Sequence, residues 1–385
     1  MERAHILILT ASIGSGHTRA AEAICAAFAA HPQAAGLQVD VIDFMAREVS
    51  VIHYLMKRIY LTMLRFVPDL YDVFFRIAGK SASGGIVRRA FAQIMERTMG
   101  RLVQIYQPDI IVATHPFPEG AAALWRVRHG GTFRLAALLT DYALHAIWLS
   151  RGVDIYFVAT DAMAAQMTAL GFDRGVVYAT GIPIMLPRCR MSRCEAQRAV
   201  GLTEDLPTVL LMGGGLGLGD MDRTLGALEL VKRRLSILVV AGHNEVLEAH
   251  ARRMAAASHH NIRIWAYTHE VSVLMQASDL LITKPGALTI SEAFAAGLPL
   301  LLHDPIPGPE TENAVYATRR GAAVWLHPGE RMAPAVEETL SHRIPAMRKA
   351  ARACAREDAA QYVVKILMDD MYARKRGRTD GTEII

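Results

Sequence analysis

The sequence predicts an α/β protein of two Rossmann-like domains, each a doubly wound parallel sheet, facing each other across a cleft. Three observations point there. Short apolar runs alternate with helical patterns along nearly the whole chain, which is the signature of βα units. The alternation falls into two series separated by Thr180-Gly181-Ile182-Pro183-Ile184-Met185-Leu186-Pro187, where two prolines and a glycine interrupt any regular element. Each series opens with a strand running into a glycine-rich turn.

In chain order, the first series places strands at 5–9, 37–42, 109–113, 134–139 and 154–158, and the second at 207–212, 235–241, 261–265, 279–282 and 298–302. An N-terminal domain over 1–187 and a second domain over 188–343 follow. Residues 45–106 break the alternation and read as two or three helices inserted into the first domain. The first of these, Val51 to Val67, is so apolar that it must bury most of its surface somewhere. From Ile344 to about Arg374 the chain reads as helix again, and Arg374-Lys375-Arg376-Gly377-Arg378 makes a basic tail, so 344–385 forms a C-terminal helical segment.

Composition excludes several classes. The 385 residues are 52% hydrophobic and 21% charged, enough for two packed cores, and the net charge of +5 is too mild to be the whole signature of a nucleic-acid binder. Four scattered cysteines (Cys25, Cys189, Cys194, Cys354) make neither a disulfide framework nor a metal spacing, which fits a reducing compartment. The run Ile6-Leu7-Ile8-Leu9 is too short for a signal-peptide core, and no stretch reaches the roughly 18 apolar residues of a spanning helix. A cytosolic protein without a membrane span is expected.

Three turns carry chemistry. The first is Thr10-Ala11-Ser12-Ile13-Gly14-Ser15-Gly16-His17 before an evident helix. Gly14 and Gly16 let the backbone approach a ligand, while the glycine spacing fits neither a dinucleotide fingerprint nor a phosphate-binding GK[ST] loop. His17 either starts the helix or projects into the cleft as a neutral imidazole able to take a hydroxyl proton. The second turn, Gly213-Gly214-Gly215-Leu216-Gly217-Leu218-Gly219, can wrap a diphosphate with backbone amides. Asp220-Met221-Asp222 after it looks like a metal-binding DxD, but Asp220 suits a helix N-cap better, so no metal is expected. The third, Lys284-Pro285-Gly286-Ala287-Leu288-Thr289-Ile290-Ser291-Glu292, joins a buried strand to a helix. Its free amides suit a phosphate, and the Glu292 carboxylate one turn on suits two vicinal ribose hydroxyls. In the next loop Glu310, Glu312 and Asn313 can bond sugar hydroxyls, and the two glutamates serve equally well as acids complementing a helix dipole.

These motifs, with Thr114-His115-Pro116-Phe117-Pro118 and Thr140-Asp141-Tyr142 followed by His145 and Trp148, resemble the monogalactosyldiacylglycerol synthases and bacterial processive diacylglycerol glucosyltransferases of glycosyltransferase family 28. The resemblance runs in order from about residue 5 to 325. It implies the GT-B fold, no cofactor beyond the UDP-hexose co-substrate, and inverting transfer of a hexose to the hydroxyl of diacylglycerol. It further implies that Gly213, Gly214, Gly215, Pro285, Gly286, Ala287, Leu288 and Thr289 face the diphosphate, Glu292 the ribose, the backbone of Tyr267 and Thr268 the uracil, and Glu310 and Asn313 the hexose. His17 becomes the leading base, with Asp141 in reserve, and Gly16, His115, Pro116, Phe117, His145 and Trp148 fall on the acceptor side. Ala287 stands where a second glycine is usual and Pro309 where glutamine is common, so the hexose stays open among glucose, galactose and glucuronic acid.

A lipid acceptor gives the insertion a purpose. Residues 45–105 carry ten Lys and Arg against four Asp and Glu, interleaved with large apolar side chains. Lys57, Arg58, Tyr60, Arg65, Phe66, Arg88 and Arg89 are the expected contacts to an anionic membrane, at its cytoplasmic face. Nucleic acid is not an expected partner. A transferase acting on a polyprenyl-linked cell-wall precursor, a UDP-sugar 2-epimerase and a catalytically silent UDP-sugar sensor are the competing readings.

Overall fold

The computed structural model describes residues 4–66, 81–187, 189–203, 205–213, 221–306 and 308–380, and for residues 60, 61, 63–66, 81–88 and 375–380 the backbone alone. Two six-stranded parallel sheets form the frame. The first runs β2-β1-β3-β4-β5-β6 and the second β12-β11-β10-β7-β8-β9. Strands β1 (His5–Thr10), β2 (Gln38–Asp43), β3 (Ile110–Ala113), β4 (Arg134–Leu138), β5 (Ile155–Val158) and β6 (Val177–Ala179) make the first sheet. Strands β7 (Thr208–Met212), β8 (Ser236–Val240), β9 (Asn261–Trp265), β10 (Leu280–Thr283), β11 (Leu300–Leu302) and β12 (Ala323–Trp325) make the second.

The central strands β1, β3, β7 and β10 are buried along their whole length, as continuous apolar runs between two helical layers must be. Counted from its own first strand, the second sheet has the 3-2-1-4-5-6 order of a dinucleotide-binding fold. The first sheet has a single strand, β2, on that side of β1, because the helices Val51–Phe66 and Ser81–Tyr106 stand between β2 and β3 where a further βα unit would lie. The order in which strands are laid down therefore reverses between β1 and β3 in one sheet and between β7 and β10 in the other. Ligands of open α/β sheets sit in the crevice at the carboxyl ends of such strand pairs.

The strands β6 and β12 are not visible in the sequence pattern. Each has three residues, too few to show a period, and each closes the outer side of its sheet. The end of the chain brings a larger surprise. The helix Ala359–Asp380 leaves the second domain and packs on the helix Gly16–Ala30, adding Val363, Val364, Leu367 and Met368 to the first hydrophobic core. Asp370 on it receives two bonds from Arg134, at 3.0 and 2.7 Å. The chain passes between domains at Gly181, where φ is +86° and a Cβ would lie 2.5 Å from the Cβ of Arg356, so only glycine fits.

Candidate functional site

His17 follows the glycine turn at the carboxyl end of β1, as the second residue of the helix Gly16–Ala30. Its Nδ1 lies 2.8 Å from the Thr114 carbonyl and 2.8 Å from the Thr140 hydroxyl. A carbonyl only accepts, so Nδ1 carries the proton and Nε2 keeps a free lone pair. Burial pushes the ring's pKa from 6.5 down to about 4, against the opposing pull of the Thr114 carbonyl. The ring meets His115 edge-on, with centroids 4.6 Å apart.

His115 caps the helix Pro116–His129, its Nδ1 accepting from the Phe117 N–H at 3.1 Å, so its Nε2 bears the proton. Burial, and then the neighbouring His17, hold its pKa well below the ordinary value. Phe117 stacks on Phe91 at 4.9 Å, His145 accepts from the Ile147 N–H at 3.3 Å, and Trp148 is buried in the first core. Gly16 sits against the second domain, since a Cβ there would touch Leu288 at 3.5 Å.

On the opposite wall, β10 runs through Lys284 and Pro285 into Gly286, which starts the helix Ala287–Ala296 without a side-chain cap. The first-turn N–H groups at Ala287, Leu288 and Thr289 thus have no capping side chain. Glu292 Oε1 lies 3.3 Å from Arg19 of the first domain, while its Oε2 is buried with no partner. Burial raises the carboxyl's pKa, and Arg19 partly offsets this. A cavity of about 1560 Å³ opens beside this pair, lined among others by Ser12, Ser15, Arg19, Tyr267, Thr268 and Glu292. Tyr267 is exposed and stacks on His243 at 4.7 Å. Gly213 directly follows β7, while Gly214, Gly215 and Asp220 lie outside the described residues. Asp222 is engaged by His250 at 2.8 Å, and among the described residues no group of three or more His, Cys, Asp or Glu can hold a metal ion.

Three expected residues hold the structure together in ways their sequence did not announce. Asn313, expected on the hexose, is fully buried with its amide committed: Oδ1 accepts from the Tyr142 N–H at 2.9 Å, and Nδ2 donates to Asp141 Oδ1 at 3.1 Å and to the Pro285 carbonyl at 3.2 Å. Glu310 holds Lys284 with one oxygen and the Ile306 N–H, at 2.8 Å, with the other. Lys57, expected on a membrane, instead turns its ammonium to the Ser12 hydroxyl, which is itself bonded to Asp43. Asp141 is half-buried, and its desolvation raises its pKa, with Asn313 opposing.

The rest of the helix Val51–Phe66 behaves differently. His53 is buried under it, bonded to the Phe44 carbonyl at 3.0 Å, while Val51, Ile52, Leu55 and Ile59 form an outward stripe, each more than half exposed (58%, 61%, 54% and 69%). The apolar surface that this helix was expected to bury somewhere is thus only partly covered by the protein's own described residues. Arg58 and Arg89 are exposed too, and the side chains of Tyr60, Arg65, Phe66 and Arg88 lie outside the described set. No described helix is long and apolar enough to cross a membrane. Sequence reasoning missed Arg19 and Thr140, whose partners lie 273 and 123 positions away and leave no local signature.

Comparisons with known proteins identify the family and the fold. The profile of the family described as monogalactosyldiacylglycerol (MGDG) synthase matches residues 17–184, and that of the glycosyltransferase family 28 C-terminal domain matches 208–365. The chain is 28% identical over 372 residues to the processive diacylglycerol beta-glucosyltransferase of Bacillus mycoides, spanning 96% of this chain and 94% of the relative. It is 28% identical over 338 residues to that of Bacillus licheniformis, spanning 88% and 87%. Among solved structures it is similar to Acinetobacter baumannii MurG, with a TM-score of 0.62 at 18% identity over 95% of this chain and 99% of that one. CalG4, the calicheamicin glycosyltransferase, gives 0.61 at 15% over 97% and 99%. At those identities the likeness shows the fold.

Proposed function

The chain belongs to the monogalactosyldiacylglycerol synthase family of family 28 glycosyltransferases, and from that premise we propose that it moves a hexose from a UDP-α-sugar to the hydroxyl of diacylglycerol, forming a β-glycolipid. Glucose is the favoured hexose, since the relatives are named for it. One observation carries the reading: a neutral imidazole with its Nε2 lone pair available sits on the helix Gly16–Ala30, whose Gly16 and Arg19 meet Leu288 and Glu292 of the helix that starts uncapped at Gly286, Glu292 keeping one buried, partnerless oxygen.

The chemistry follows from these groups. His17 Nε2 takes the proton of the acceptor hydroxyl as its oxygen attacks the anomeric carbon from the face opposite UDP. The bond from that carbon to the diphosphate oxygen breaks, and UDP leaves with the electron pair. Amides at Ala287, Leu288 and Thr289, aided by the backbone at Gly213, stabilise the charge that develops on it. Glu292 Oε2 accepts from the ribose, and the cavity edge at Tyr267 and Thr268 takes the uracil. Asp141 gives one oxygen to Asn313, which favours His17 as the base and keeps Asp141 in reserve. His115 and Phe117 border the acceptor hydroxyl. Glu310 orders the hexose side through Lys284 and Ile306 rather than with a free carboxylate.

The stripe Val51, Ile52, Leu55 and Ile59, with Arg58 beside it, rests on an anionic membrane surface, which makes the enzyme peripheral at the cytoplasmic face. A panel of UDP-sugars incubated with diacylglycerol micelles, with lipid products read by mass spectrometry, tests the whole reading. A monohexosyl diacylglycerol is the expected product. UDP release that ignores added lipid, with no glycolipid formed, would overturn it.

A further inference from the structure

Three consecutive residues after β4 touch both the base and the second domain. Thr140 places its hydroxyl 2.8 Å from His17 Nδ1. Asp141 accepts from Asn313, and Tyr142 gives its N–H to the same amide. The Tyr142 ring stacks on Tyr316 at 4.3 Å, nearly coplanar at 10°, and its hydroxyl lies 2.8 Å from Ser291 Oγ. Ser291 already donates to the Ala287 carbonyl, so Tyr142 is the donor in that pair. Asn313, Ser291 and Tyr316 all belong to the domain that carries the uncapped helix.

We propose that Thr140 is a positioning residue for His17, and that Asp141 and Tyr142, latched to the second domain, make its placement depend on closure of the two domains. This rests on the reading of His17 as the base. In the resting ring, Nδ1–H is shared between the Thr114 carbonyl and the Thr140 hydroxyl. When Nε2 takes the acceptor's proton the ring becomes a cation, and a hydrogen bond from a charged donor is about twice as strong as a neutral one. Thr140 therefore stabilises the transition state more than the ground state. The Thr114 carbonyl sits on the first domain's own β3 end and stays with His17 in any domain arrangement. Thr140 also follows a strand of the first domain, β4, but its next two neighbours, Asp141 and Tyr142, are held by the second domain, so parting the domains removes the constraint that fixes its hydroxyl against Nδ1 and weakens the second of the base's two oxygen contacts.

Thr140→Val removes the hydroxyl and keeps the shape. It is expected to lower kcat about 10-fold, the scale of one hydrogen bond to a group gaining charge, with KM for the UDP-sugar unchanged, while Thr140→Ser restores most of the rate. The latch is tested by a cycle: Asn313→Ala should cost activity in the wild-type background and much less once Thr140 is valine. Should Asn313→Ala not fold, Ser291→Ala takes its place in the cycle. A kcat within twofold of wild type in Thr140→Val, a loss appearing only in KM, or losses that multiply independently in the cycle would each overturn the proposal. If the wild-type protein turns over no UDP-sugar, the reading of function fails separately. The positioning claim is then decided by nitrogen-edited NMR, where the His17 Nδ1–H resonance must shift upfield in Thr140→Val and an unmoved resonance refutes it.

Discussion

With its pKa held near 4, the His17 ring is neutral at pH 7 in all but about one molecule in a thousand, and its lone pair is available without prior deprotonation. His17→Ala is expected to leave UDP affinity within a few-fold of wild type and to cut turnover at least about 100-fold; near-normal turnover would remove the residue from the chemistry. The same shift has a stability consequence. In the unfolded chain the ring binds a proton below about pH 6.5, whereas in the folded protein it resists doing so until about pH 4. Protonation of the unfolded state alone over that window costs the native state up to roughly 3 kcal/mol as the pH falls. Melting temperature followed from pH 7 to 4.5 should therefore drop less steeply in His17→Gln than in wild type, and parallel slopes would contradict the burial argument. Glu292→Gln retains shape but loses the charge facing Arg19 and one acceptor for a ribose hydroxyl; about a 10-fold weaker Kd for UDP is expected by titration calorimetry, with no change contradicting a ribose role. The residue types of this site could be read from the sequence, because they stand where strands end. What Asn313, Glu310 and Lys57 bond to could not, since each is committed to a partner outside its own segment.

Among the elements, the apolar runs of β1, β3, β4, β5, β7, β8, β10 and β11 were legible because burial on both faces leaves little room for polar residues, while the half-exposed edge strands β2 and β9 were legible from their alternating apolar positions. The helix Val51–Phe66 shows where such reading stops. Its composition says that apolar surface must be covered, but nothing local says whether protein or lipid covers it. The structure divides it, with His53 and Met56 turned toward the first domain and the Val51, Ile52, Leu55, Ile59 stripe turned out. If the stripe enters a bilayer surface, charging two of its members removes apolar contacts of about 1.5 to 3 kcal/mol each when fully buried. Leu55→Asp with Ile59→Asp is thus expected to lower partition onto anionic vesicles at least about 10-fold in flotation, without altering the melting temperature by more than a degree or two. Undiminished partition would move the contact elsewhere on the protein.

At the scale of the molecule, the net charge of +5 matters less than its placement, since residues 45–105, with ten Lys and Arg against four Asp and Glu, have a larger net positive charge than the whole chain. The rest is close to neutral, as suits two domains that must close on each other. The frame of two sheets was legible from the repeated strand-and-glycine pattern, but the return of the helix Ala359–Asp380 to the first domain was not. Its apolar positions predict a helix and not its destination. Ending the chain after Asp358 should strip Val363, Val364, Leu367 and Met368 from the first core, giving a protein that binds a hydrophobic dye and melts without a sharp transition; a sharp, unchanged melt would show that the first domain stands without them. That return also sets an order on synthesis. A chain emerging at about 5 to 20 residues per second delivers the second domain complete while the first still lacks one side of its core. The domain that begins first is finished last, and the helix Gly16–Ala30 waits on the ribosome for more than three hundred residues to pass before its cover arrives.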